Sequence, residues 1–294
     1  MNKKMYQNFI LDSTRWSLIS DRAGDIVIAS PYKSGTTWMQ NIVLHLIFQD
    51  YEHKEINKYS HWVENRLTPI PVLIEQLESQ THRRCLKTHL PVDGIGERAN
   101  SKFLVLGRDP RDVFVSLWNH YRNYSDNFYN DVNNTSIRIG PPLERCPNDI
   151  KEFWNLWLTK GAFPWQSEGY PHWSYFDNIQ QWWNLRHQEN ICLIHYNDLK
   201  QNLTKEIKKI SNFLNIKCSN TGEIAKLVDF KTMKENSKIL IPNSKHTFIG
   251  GVDSFFNNGT SNQWNELLSS DDLLLYEAIS SRLLSKKCKE WLEK

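Results

Sequence analysis

Four short apolar runs each stop at a polar or charged stretch, and helix-like segments follow them; this recurring order allows few architectures. The runs are DIVIAS (25–30), RCLKTH (84–89), FLVLGR (103–108) and ICLIHY (191–196). Their length and their β-branched and aliphatic residues predict buried strands. Helical periodicity is expected near 36–49, 71–79, 111–123, 150–159, 174–188, 203–214 and 271–292. In the first of these the apolar positions are Trp38, Ile42, Val43, Leu46 and Ile47. Strands followed by helices predict an α/β fold with one central parallel sheet flanked by helices on both faces. Such sheets take ligands beyond the carboxyl ends of their strands. The polar, turn-rich stretch 124–149 is expected to be a loop or lid.

The first strand-to-helix corner reads SPYKSGTTW (30–38). A helix N-terminus presents unpaired backbone N–H groups at the positive end of its dipole. Lys33, Ser34, Thr36 and Thr37 add donors, and Gly35 lets a ligand approach the backbone. An anion cradle needs that chemistry, although an ordinary capped turn uses the same residue types. The ATP-type loop G-x-x-x-x-G-K-[ST] is not met, because Lys33 precedes Gly35 and no glycine opens the loop.

Three further strand ends carry reactive or anion-binding groups. In LKTHLP (86–91) Lys87 and His89 are two apart, so on a strand they share a face. A nearby lysine favours the neutral imidazole, as a general base requires. In GRDPRDVFVS (107–116) Arg108 closes a strand and Ser116 lies in the early turns of a helix opened by Asp109 and Pro110; both can face one phosphate. In IHYNDLK (194–200) Tyr196 ends a strand, a position where tyrosine is also a common core ring.

Composition sets the outer limits. The chain has 294 residues, 39% of them hydrophobic and 12% aromatic, enough for a sizeable core, with no linker or repeat that divides it. A net charge of +3 does not argue for a nucleic-acid-binding surface. No apolar run is long enough to span a bilayer, and residues 1–16 lack a signal-like apolar stretch. Cys85, Cys146, Cys192, Cys218 and Cys288 are scattered and form no C-x-x-C pair; neither a zinc site nor a disulfide framework is expected, and a cytoplasmic setting is the default.

In this order the four segments, with FKTMKEN (230–236), resemble the sulfotransferase family that uses 3'-phosphoadenosine 5'-phosphosulfate (PAPS), both its cytosolic-type enzymes and their bacterial small-molecule relatives. The resemblance covers about residues 24–264. It implies one domain over 1–294 with a P-loop-NTPase-like sulfotransferase fold. It also implies sulfuryl transfer to a hydroxyl or amine of a small molecule, adenosine 3',5'-bisphosphate (PAP) as the spent nucleotide, and no metal. Carried over by position, Lys33 with the backbone of Ser34, Gly35, Thr36 and Thr37 holds the 5'-phosphosulfate, and Trp38 and Phe230 sandwich the adenine. Arg108 and Ser116 bind the 3'-phosphate, Tyr196 lies beside the nucleotide, His89 is the base and Lys87 assists at the sulfuryl group.

The chain departs from the family pattern at three places. Pro31 and Tyr32 are transposed in the first loop, and the resemblance places Asn257, Asn258 and Gly259 on the 3'-phosphate side of the nucleotide, with Asn257 and Asn258 where the family has arginine and lysine. The family's C-terminal dimer motif is not evident, which leaves the oligomeric state open. The aromatic-rich segments 65–71, 123–132 and 161–176 are expected to border an acceptor pocket. Features such as GYPHWSYFDNIQQWW suggest tailoring of a bacterial natural product. No nucleic-acid or membrane partner is expected. The alternatives are a non-catalytic nucleotide-binding relative and, with less support from the motifs, a nucleotide-dependent phosphotransferase.

Overall fold

The computed structural model describes residues 3–136, 138–256 and 259–294. Asn257 and Asn258, named above as nucleotide-side residues, lie outside the described residues.

Five strands form one sheet: β1 (Ile26–Ala29), β2 (Ser60–Trp62), β3 (Cys85–Thr88), β4 (Lys102–Gly107) and β5 (Ile191–His195). Their order is β2-β3-β1-β4-β5 and every pairing is parallel. Register runs Ile26 to Cys85 and Ile26 to Lys102, so β1 is the central strand. The chain leaves β1 toward the β2 side and leaves β4 toward β5. The crevice between those diverging connections is where open sheets of this kind take ligands.

Both faces of the sheet are covered, which is why the strands read as continuous apolar runs. Val27, Ala29, Leu86, Phe103 and Val105 point into one core with Tyr32, Trp154, Trp157 and Phe176. Ile26, Ile28, Leu104, Leu106 and Ile194 point into the other, with Met39, Ile42, Val43, Ile207 and Ile210. The helix Thr36–Phe48 supplies much of the second core, and the helices Ile150–Thr159 and Tyr175–Asn184 supply the first. Among the described residues, no helix is long and apolar enough to cross a membrane, and all five cysteines are free.

Two expectations need correction. The stretch 124–149 contains the helix Asp126–Asn133, capped where Ser125 accepts from Phe128 N. Tyr124, Phe128, Tyr129, Val132 and Leu143 are buried, so its apolar residues belong to the core although the intervening residues are polar. The segment 271–292 is two helices, Ser270–Leu283 and Lys286–Leu292. Leu284 is extended between them and Ser285 starts the second.

Candidate active site

A cavity of about 370 Å³ lies at the carboxyl ends of β1, β3, β4 and β5. It gathers Lys33, Gly35, Thr36, Thr37, Trp38, Lys87, His89, Arg108, Ser116, Tyr196, Phe230 and Gly259. Ser34 is not at its wall: its side chain is buried and donates to the Tyr32 carbonyl at 3.1 Å.

The first loop is held from outside. Trp173 Nε1 donates to the Pro31 carbonyl at 2.8 Å, Trp157 Nε1 donates to the Tyr32 hydroxyl at 2.8 Å, and Arg108 Nη1 donates to the Lys33 carbonyl at 3.1 Å. The transposed Pro31–Tyr32 pair thus serves as an anchor, with the Tyr32 ring buried against Trp173 and Tyr175. Gly35 is the N-cap of Thr36–Phe48 with φ 98° and makes no side-chain cap bond, so the first-turn N–H groups stay open to a ligand. A Cβ on Gly35 would meet Tyr196 Cδ2 at 3.0 Å, so both backbone conformation and space require glycine. Lys33 also has a positive φ, 51°, a conformation that costs a side-chain-bearing residue about 1–2 kcal/mol. The three outside bonds hold the loop in that conformation.

The His89 backbone and ring are fixed at three points. Its N–H donates to Glu64 Oε1 at 2.6 Å, its carbonyl accepts from Asn178 Nδ2 at 2.7 Å, and Nδ1 donates to the Ser30 carbonyl at 2.9 Å. A carbonyl can only accept, so Nδ1 carries the proton and Nε2 keeps its lone pair. Burial, then the Lys87 charge, hold this imidazole well below its ordinary pKa. The ring packs edge-on to Trp62 and lies 5.8 Å from Trp173. Lys87 Nζ sits 4.6 Å from the centre of the Trp62 ring, and burial draws its pKa down to about 8 against the attraction of Glu64.

Charge in the cavity is one-sided. Among the described residues that line it there is no Asp or Glu, whereas Lys33, Lys87 and Arg108 all do. Burial, then Arg108 and Lys87, lower the Lys33 amine to about 7. Glu64 behind Lys87 and Asp112 near Arg108 offset part of this charge, but cations on a wall that itself carries no acid call for an anionic ligand. Arg108 is stacked 4.3 Å over the Tyr196 ring, and its buried Nε has no partner. Trp38 is held by its indole N–H, which donates to the Val228 carbonyl at 2.7 Å. Its ring meets Tyr196 edge-on, and Phe230, also on the cavity wall, remains 38% exposed, leaving aromatic surface for a nucleobase. A Cβ on Gly259 would meet the Phe230 ring at 2.9 Å, so glycine lets that segment lie directly on the ring.

The remaining wall is mostly apolar and aromatic, with Asn65, Asn119, Thr247, Thr260 and Gln263 among it. Ile10, Trp62, Leu67, Tyr124, Phe128 and Trp173 line it, together with His120 and His172. Each of the three aromatic-rich segments contributes: Asn65 and Leu67, Tyr124 and Phe128, and His172 and Trp173. Sequence reasoning missed Glu64, His120 and His172. Glu64 is fully buried and also accepts from Thr88 Oγ1 at 3.1 Å and Trp16 Nε1 at 3.0 Å. A carboxylate two residues after Trp62 in HWVEN carries no local signal for that role.

Residues 23–288 match the family described as the sulfotransferase domain. A glycolipid sulfotransferase of Mycobacterium bovis (strain BCG / Pasteur 1173P2) is 26% identical over 293 residues, covering 94% of this chain and 89% of that protein. Sulfotransferase 1A1 of Rattus norvegicus is 28% identical over 253 residues, covering 82% and 77%. Among solved structures, mouse sulfotransferase SULT7A1 complexed with PAP superposes with a TM-score of 0.70 at 20% identity, covering 96% of this chain and 91% of that one. Retinol dehydratase in complex with androsterone and the inactive cofactor PAP gives 0.68 at 19%, covering 93% and 84%.

Proposed function

The chain belongs to the sulfotransferase family, and on that footing we propose that it moves a sulfuryl group from PAPS to a hydroxyl or amine of a small, largely apolar acceptor, with His89 as general base. The observation that carries this reading is the pairing of an oriented imidazole, Nδ1 on the Ser30 carbonyl and Nε2 free, with a cavity whose charged lining residues are all cations. The residues fit a nucleotide with two anionic ends. Gly35, the open first turn and Lys33 suit one phosphate, and the unpartnered Nε of Arg108 with Ser116 suits the other. Trp38 and Phe230 suit an adenine between them.

The donor, when bound, supplies the sulfuryl group and a phosphate able to leave. His89 Nε2 takes the acceptor proton, a role its depressed pKa favours by keeping the ring neutral. Lys33 and the N–H groups at the start of Thr36–Phe48 hold the charge that grows on the leaving phosphate. Lys87, fixed over Trp62, adds positive field on the His89 side. Trp62, Tyr124, Phe128 and Trp173 exclude water from the transfer and hold an apolar acceptor. The relatives named as glycolipid sulfotransferases and the androsterone-bound neighbour support a lipophilic acceptor; a bacterial natural product is within that class.

The test is incubation with PAPS and a panel of phenols, alcohols and amines, read by mass spectrometry for the addition of SO₃ and by chromatography for PAP. Turnover without added metal supports the reading. Dependence on ATP and magnesium, with no response to PAPS, would replace it with phosphoryl transfer; PAP binding without turnover on any acceptor would leave a nucleotide-binding relative.

A further inference from the structure

His120 has no part in the reaction as described above, yet it touches the central lysine. It lies on the helix Pro110–Tyr121, about one turn beyond Ser116, and both side chains reach the same cavity. Its Nδ1 is 3.0 Å from Lys33 Nζ. An ammonium has donors only, so Lys33 donates and the ring accepts. Burial, then the Lys33 charge, keep this imidazole well below its ordinary pKa and therefore neutral. The rest of the ring packs on Phe248, with centroids 4.7 Å apart, and edge-on to Tyr124 at 5.2 Å. Phe255 completes the contact, lying beside His120 and 5.4 Å from Lys33 Nζ.

We propose that His120 is the positioning residue for Lys33, and that through it the aromatic acceptor wall is mechanically joined to the phosphosulfate lysine. The proposal rests on the sulfuryl-transfer reading of the cavity. Lysine is a compact charge on a flexible stem whose rotamer entropy must be lost to fix it. Lys33 is pushed by Lys87 and Arg108, and His89 and His172 also face it as neutral rings, so no carboxylate of the described cavity lining steadies it. An acid in place of His120 would fix the lysine but cancel its charge. A neutral ring fixes it and leaves the charge for the leaving phosphate. Because the same ring packs on Tyr124, Phe248 and Phe255, an acceptor that presses on this wall also moves the atom that aims Lys33.

The experiment uses His120→Phe, which keeps a ring on the wall but removes the acceptor nitrogen, and His120→Asn, whose amide oxygen can accept from Lys33. Competitive acetylation of Lys33 against pH, read by mass spectrometry on the nucleotide-free protein, reports the contact itself. PAP calorimetry and para-nitrophenol sulfation report function. In His120→Phe the pH midpoint of Lys33 acetylation falls, because the ammonium has lost an acceptor. In the same variant kcat drops about tenfold, the size of one hydrogen bond to a charge, with little change in PAP affinity or in KM for the phenol. The alkaline limb of kcat moves to lower pH, since turnover needs the ammonium form; His120→Asn recovers most of both effects. An unchanged midpoint and kcat in His120→Phe, or an Asn variant as impaired as the Phe variant, overturns the proposal. If the wild type neither binds PAP nor sulfates the phenol, the functional reading fails, and the acetylation midpoint alone then decides whether His120 sets Lys33.

Discussion

The Nδ1–H of His89 is spent on the main-chain oxygen of Ser30, the residue that follows β1, at 2.9 Å. The ring at the end of one strand is thereby aligned by the residue that leaves the neighbouring strand, on the same loop that carries Lys33. A ring oriented this way has one nitrogen left for chemistry and does not need reorientation when an acceptor arrives.

Replacing that ring should separate binding from turnover. His89→Asn is expected to lower kcat by about 10²–10⁴-fold while PAP affinity, measured by calorimetry, stays near wild type. The wild-type acid limb of kcat/KM should lie below the ordinary imidazole range, because burial and Lys87 depress the His89 pKa and the basic form persists as pH falls. An acid limb at or above the ordinary imidazole pKa would assign the base elsewhere.

Nucleotide binding should take up a proton near neutral pH. In the free protein the Lys33 amine is lowered to about 7. A phosphate beside it favours the ammonium, so the pKa rises in the complex, and uptake is largest from about pH 7 upward. Calorimetry of PAP in buffers of different ionisation enthalpy measures it. Lys33→Met should abolish the uptake; uptake that persists in this variant points to another group.

Arg108→Ala should erase preference for a second phosphate. Loss of charge-assisted bonds is expected to weaken PAP binding by about 1.5–3 kcal/mol and to leave AMP nearly unchanged. Equal losses for the two nucleotides would mean that Arg108, which also donates to the Lys33 carbonyl, acts on the first loop instead.

Acid should destabilise the ligand-free fold through its buried imidazoles, against a smaller opposing contribution from Glu168, whose carboxyl burial raises to about 8. His89, His120 and His172 are buried neutral, His172 with a pKa drawn down to about 3 by burial, and His45 to about 4. Each takes up its proton readily only when unfolded. The unfolded chain therefore binds more protons as pH falls through 6.5, the ordinary imidazole value, and stability declines from there toward the folded values. Denaturant midpoints at successive pH values below neutrality should fall; a flat response would mean that these rings reach solvent in the native state.

Much of the architecture was legible because both faces of the sheet are buried. Ile26, Val27 and Ile28 form a continuous apolar run, and such runs mark strands sharply. The strand Ser60–Trp62 escaped because three residues carry no period, and the break before Ser285 because Leu283 and Leu284 prolong the apolar pattern through it. Site residues at strand ends were legible where glycine, lysine and hydroxyl types cluster within a few positions, as around Gly35. Glu64 and His120 act across the fold, on His89 and on Lys33, and proximity of that kind leaves no trace in local spacing. The inward turn of the Ser34 hydroxyl, to the Tyr32 carbonyl, was likewise not legible, although it leaves the expected role of the Ser34 backbone untouched.

The all-parallel order β2-β3-β1-β4-β5 also governs how the molecule acquires its site in time. Each pairing joins residues far apart in the chain, Ile26 with Cys85, Ile26 with Lys102 and Phe103 with Ile191. Pairings of this kind form slowly, since a long loop must close before any contact rewards it. Lys33, His89, Arg108 and Tyr196 leave four different strands of that sheet. A nascent chain still lacking β5 has neither Tyr196 nor the support it gives Arg108, so a nucleotide bound as proposed would select only chains whose last strand has docked, a late clamp on folding rather than an early template.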